Sequence, residues 1–258
     1  MGVIATLGFV LALVYGVRLS RRGKRMAGLS AEEHRAILSK YAIQYQRLPD
    51  AEKDLFERKV SLFVNEKTWV GAGMRVAPEM KVMIAACAAQ LLRGFPEVEL
   101  RHFDRIVVYP ESYRSHRSGR LHQGEVRPVV GMIIISWEDF VHGYAHSRDA
   151  HNVGLHEMAH ALWFENDIIN GEQHFLAPQL LREWKRLAEV EIWEIKTKGG
   201  RFLRGYAGTN QAEFFAVAVE YFFEQPVAFK AALPMVYKCL SLLLHQDPAT
   251  ELPAPQRT

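Results

Sequence analysis

The sequence predicts an α+β chain, mostly helical, with a small sheet and one apolar helix ahead of the folded part. Three observations carry that expectation. Most segments repeat apolar residues at helical spacing between proline and glycine breaks, residues 105–109 and 129–136 are β-branched and apolar, and residues 1–17 hold no charge. At 258 residues, 49% hydrophobic and 24% charged, the chain suits one sizeable domain. Its formal net charge of +3 is near neutral for that length, which removes any global electrostatic case for direct nucleic-acid binding. Cys87 and Cys239 match no metal or redox spacing and read as buried thiols.

Taken in order, residues 1–17 read as a membrane anchor. Residues 18–28 form a basic linker with Arg18, Arg21, Arg22, Lys24 and Arg25. A secretory signal would carry its charge before the apolar run, so this polarity favours a transmembrane helix with its amino terminus outside and the rest in the cytoplasm. The anchor is short, since 17 residues rise only about 25 Å as a helix. A folded domain is expected over residues 29–246, and a disordered, proline-bearing tail over residues 247–258.

Ser30 with Glu33 forms a capping box that opens a helix to Leu48. Pro49 and Asp50 start a second helix, Gly71 and Gly73 break the chain, and Pro78 starts a third that runs to Gly94. Residues 105–109 are a strand closed by Pro110, and residues 129–136 are a second one, apolar throughout and so buried or paired. Between them, Arg114, His116, Arg117, Arg120 and His122 read as a solvated loop. His142, His146 and His151 fit no tight chelate and suggest a wet entrance to a cleft. A long helix spans residues 178–198 and ends at Gly199 and Gly200. Thr209 or Asn210 caps a helix over residues 211–224, and Pro226 and Pro234 divide the last apolar stretch into two helices ending near His245.

The chemistry concentrates in Gly154-Leu155-His156-Glu157-Met158-Ala159-His160-Ala161-Leu162. On a helix, His156 and His160 stack one turn apart on one face, so both imidazoles can meet one zinc ion. Glu157 lies beside that ion, placed to take a proton from water and return it to a leaving amine. Leu155, Ala159 and Leu162 make the helix mostly buried, and burying three ionisable groups is costly unless something pairs them. A catalytic zinc needs a third protein ligand and one open position. The almost continuously apolar stretch of residues 211–224 carries Glu213 and Glu220 two turns apart. Glu213 is the better candidate, and Glu224, near the Pro226 break, reads as solvated.

These residues, with the run from Gly131 to Trp137 and the segments Ala212-Glu213-Phe214-Phe215-Ala216 and Glu220-Tyr221-Phe222-Phe223, resemble the Mlc titration factor A family of zinc-dependent peptidases. That family is a gluzincin group whose catalytic domain is similar to anthrax lethal factor, and the resemblance covers residues 31–244. It implies a zincin (gluzincin-like) domain in which His156, His160 and Glu213 hold Zn²⁺ and Glu157 is the general base. It points to Tyr206 as the hydroxyl that steadies the tetrahedral intermediate. It also implies that the strand at residues 129–136, in the place it takes in gluzincins, is an edge strand that holds the peptide. The pattern departs at Trp163, where an acidic residue is common, and Glu165 or Asp167 is then expected to take over its contact with the ligands. The implied activity is hydrolysis of a peptide or protein substrate at the inner (cytoplasmic) membrane, with a single-pass anchor. An alternative is a zinc-holding regulatory protein that sequesters a transcriptional repressor. A structural zinc would be closed by four protein ligands, and three can be found.

Overall fold

The computed structural model describes residues 30–114, 119–146, 148–200 and 202–251. Ser30 opens α1 (Ala31–Tyr41) through the expected capping box: its hydroxyl accepts from Glu33 N at 3.2 Å, while the Glu33 carboxylate accepts from Ser30 N at 2.6 Å. The helix stops earlier than its periodicity suggests. Ala42, buried and extended, separates it from a single turn, α2 (Ile43–Gln46). Next come α3 (Asp50–Glu66) and α4 (Pro78–Leu91), the latter starting on proline and buried along most of its length by its alanine-rich surface.

In chain order the strands are β1 (Thr68–Gly71), β2 (Arg105–Tyr109), β3 (Tyr113–Arg114), β4 (Leu121–His122), β5 (Gly124–Arg127) and β6 (Met132–Ser136). The main sheet runs β1-β2-β6-β5, with β1, β2 and β6 parallel and β5 antiparallel to β6. Two expectations are corrected here. The second strand begins at Met132, because Pro128–Val130 form a 3₁₀ turn that ends on Gly131 at φ +62°, where an added Cβ would lie 2.4 Å from the His102 carbonyl oxygen. That strand is also internal, since it pairs with β2 along one edge and β5 along the other, and the edge beside the cleft is the more polar β5. The residues read as a solvated loop contain the antiparallel β3–β4 pair; His116 and Arg117 lie outside the described residues.

Pleating sorts the sheet into two faces. Ile106, Val108, Ile133 and Ile135 join the main core, whereas Val107, Ile134 and Tyr113 form a small cluster under the β3–β4 pair, with the Tyr109 and Tyr113 rings stacked at 4.2 Å. The remaining helices are α5 (Trp137–Ala145), α6 (Val153–Glu165), α7 (Pro178–Lys198), α8 (Gln211–Glu224), α9 (Pro226–Ala232), α10 (Pro234–Leu244) and α11 (Pro248–Glu251). α6 packs against β5 and β6 on one side, α8 on another and α4 behind. It is thus the central helix of the domain. Cys87 and Cys239 are free and buried.

Two expectations about the chain ends change. The single-pass inner-membrane location is overturned, because among the described residues no helix is long and apolar enough to cross a membrane. Residues 1–17 and 18–28, on which the anchor and linker were read, lie outside the described residues, and 17 residues fall short of the roughly 30 Å of a hydrocarbon core. Disorder from residue 247 is not observed over residues 247–251. Asp247 accepts from the Tyr237 hydroxyl at 2.6 Å and pairs with Lys230 at 3.2 Å, which anchors α11.

Candidate metal centre

The sequence of α6 begins at Asn152, whose side chain accepts from Leu155 N at 3.0 Å and so fixes the first turn. His156, Glu157 and His160 follow within two turns. Asn210 does the same for α8, accepting from Glu213 N at 3.0 Å and placing Glu213 in the first turn. The two capped helices bring three ligand atoms together. Nε2 of His156 and Nε2 of His160 are 3.1 Å apart, and each lies 3.2 Å from Oε2 of Glu213. Ligand atoms held tetrahedrally at zinc–nitrogen and zinc–oxygen bond lengths are separated by about 3.3 Å, so this triangle fits a metal ion.

The wider donor set supports the same fit. His156 Nδ1 is 2.7 Å from Glu220 Oε1, an arrangement in which Nδ1–H donates to the carboxylate and the Nε2 lone pair is free for a cation. Glu220, 1% exposed, also accepts from Asn152 N at 2.7 Å and from the Arg204 guanidinium, which reaches the Ala150 carbonyl as well. Glu213 and Glu220 place two carboxylates here against the guanidinium of Arg204, and the remaining negative charge can be offset by a proton on His156 or by a cation in its place. Burial opposes charge on His156, yet Glu213 and Glu220 overcome it and raise its pKa to about 10, so without a metal a proton sits on the imidazole, and a cation at Nε2 would displace it. His160 is pushed down by burial. Burial alone would raise Glu213 and Glu220, but their histidine partners, joined by Arg204 at Glu220, hold both below the usual carboxylate range.

Glu157 is 5% exposed, and burial with the Glu213 and Glu220 charges nearby pushes its pKa up to about 8, against the pull of His156. Beside it a cleft of about 230 Å³ opens between β5 and the start of α8, lined by His122, Val126, Phe164, Tyr206 and Asn210. Tyr206 sits on a 3₁₀ turn, Gly205–Gly208, with its ring 6.0 Å from that of His156; burial and the Glu213 carboxylate push its phenol up to about 12.

A family model for glucose-regulated metallo-peptidases, M90, matches residues 17–245. The chain belongs to the M90 metallopeptidase family. Mlc titration factor A of Edwardsiella ictaluri is 30% identical over 69% of this chain and 74% of its own length. The Mlc titration factor A of Yersinia pestis is 26% identical over 70% and 72% respectively, and an uncharacterized protein of Synechocystis is 25% identical over 84% and 86%. A metallopeptidase requires a metal, and the His156, His160 and Glu213 group is where the described residues could hold one.

The structure therefore brings together all five residues singled out in the sequence: His156, Glu157, His160, Tyr206 and Glu213. It does not bring in the substitutes expected for Trp163. Glu165 accepts instead from His102 N and Asn170, Asp167 pairs with Asn166, and Trp163 packs on Phe215. The histidine partner is Glu220, whose signal was a second carboxylate in an apolar helix. Glu224 is not solvated but accepts from Ala150 N and the Asn152 amide. His142 and His146 lie against each other with their rings tilted, His151 turns to Asp149, and the cleft wall is lined by His122 instead. Arg204 and Gly124 carried no signal that spacing could reveal.

Proposed function

We propose that the chain is a zinc-dependent peptidase that hydrolyses peptide bonds, with its catalytic unit over residues 29–246. The observation that carries this reading is the triangle of His156 Nε2, His160 Nε2 and Glu213 Oε2 next to a buried Glu157. A bound zinc ion supplies Lewis acidity there, polarising a carbonyl and lowering the pKa of water to about 7. Glu157 takes the proton of the attacking water and returns it to the departing amine. A pKa drawn up toward neutrality suits a group that must both accept and release it. Tyr206, half-exposed at the cleft, donates its hydroxyl hydrogen to the carbonyl oxygen as negative charge gathers on it. Glu220 keeps the His156 ring in one orientation and tautomer.

A second reading is that the site serves a regulatory protein that sequesters a transcriptional repressor. The relatives named Mlc titration factor A support a link to a regulator. Glu157→Gln separates the two. It removes the base but no ligand, so hydrolysis of a peptide library is expected to fall to background while bound zinc, by elemental analysis, stays at the wild-type level. Wild-type cleavage by Glu157→Gln would exclude a mechanism with Glu157 as the base.

A further inference from the structure

The general base has no hydrogen-bonded support on one side. Glu157 Oε2 is buried and has no hydrogen-bond partner among the described residues, so packing must define where that oxygen rests. Part of the wall it packs against is the backbone of β5. A Cβ built on Gly124 would lie 2.4 Å from Glu157 Oε1 and 2.6 Å from both its Cδ and Cγ. Ordinary contact distances between such atoms are about 3.5 Å or more, so no side chain fits between strand and base in this arrangement.

Both backbones are held in place, so the Glu157 side chain is what must give way. Gly124 is paired with Ile135, which is fully buried, and the Ser136 N–H donates to the neighbouring Gln123 carbonyl at 2.8 Å. Glu157 is rooted in the second turn of α6 between two residues, His156 and Met158, that are themselves engaged: one by Glu220, the other wholly buried in the core. Gly124 has no left-handed φ, so its glycine is required by space and not by backbone conformation.

We infer that Gly124 is a positioning residue for the reaction: its missing side chain lets the edge strand lie flush against Glu157 and sets the carboxylate where it meets the attacking water. This rests on the reading of Glu157 as the base. A methyl group at position 124 drives the carboxylate from its place by an ångström or so, and displacements of that size cost about 10²-fold in rate. The three ligand atoms are untouched, so the metal stays.

The test uses the purified holoenzyme and a double-variant cycle of Gly124→Ala with Glu157→Ala. In the wild-type background, Gly124→Ala is expected to lower kcat about 10²-fold with KM within about twofold, at unchanged metal content. Thermal unfolding supplies a readout independent of activity. Gly124→Ala should lower the melting temperature when Glu157 is present and leave it unchanged in the Glu157→Ala background, where the side chain ends before the clash. An equal loss in both backgrounds overturns the contact, and wild-type kcat in Gly124→Ala overturns the positioning role. Wild-type turnover by Glu157→Gln would instead overturn the base assignment, and the unfolding cycle would still judge the contact.

Discussion

Two buried carboxylates sit at opposite ends of the same central helix. Glu220 meets α6 at its amino-terminal half and Glu165 ends it, and they are 1% and 0% exposed. Burial pushes both pKa values up, yet Glu220 ends below the usual range because His156 and Arg204 outweigh burial, whereas Glu165 ends above it, with Asn170 and His102 N too weak against burial and the nearby Glu172 carboxylate. Depth of burial therefore does not mark the working end of the helix. The partners do. One carboxyl is drawn below its ordinary range by an imidazole that can serve a cation, and the other is raised above it by burial beside another acid.

The strongest way to break this contrast is to remove the ligands. His156→Ala, His160→Ala and Glu213→Ala should each abolish stoichiometric metal and reduce peptide hydrolysis to background. Full metal occupancy in Glu213→Ala, measured by elemental analysis, would transfer the ligand role to Glu220 and undo its assignment as a supporting group. A smaller effect is expected at Tyr206, carried by the turn that Arg204 ties to Glu220. Tyr206→Phe deletes a donor used only after water has attacked, so kcat should fall by about 10²- to 10³-fold with KM nearly unchanged and the metal retained. Wild-type kcat would make Tyr206 an ordinary cleft aromatic.

Metal affinity sharpens the comparison directly. Glu220→Gln should weaken it by about 10- to 100-fold in a competitive chelator titration, and Glu165→Gln should leave it unchanged. Equal effects would mean that the two ends are not distinguished by their partners. The smallest effect concerns pH. Glu165 has a folded-state pKa above its unfolded value, so the folded state binds more protons and stability from this group, present below the unfolded pKa, is lost as pH rises through the folded pKa. Urea unfolding above about pH 4.5 should therefore show a shallower fall in stability for Glu165→Gln than for the wild type. An unchanged slope would remove Glu165 as its source.

What could be read in the sequence was local. The two histidines one turn apart, the Asn210 cap, the Pro78, Pro226 and Pro234 helix starts and the apolar run of β6 all depend on neighbours within a few residues. What stayed hidden depends on partners far along the chain. β1 has four residues and exists through its pairing with β2, 37 positions on, and β5 is polar because only one of its edges is paired. Glu220 was visible as a carboxylate out of place in an apolar helix, but its duty is fixed by His156, 64 residues away. Gly124 sat in a polar stretch where a glycine reads as a turn. Nothing short of the fold places it against Glu157.

Glu213 Oε2 meets His160 across 53 residues of sequence, and α7 lies between them. A chain that has formed only the first ligand helix offers two imidazoles and no carboxylate, and closing so long a segment is entropically slow compared with making one helix. A metal held by all three residues would therefore find its full ligand set only once α7 has turned the chain back. On the proposed function, a partly folded chain would be spared a competent hydrolytic centre, and acquisition of the ion would mark completed folding.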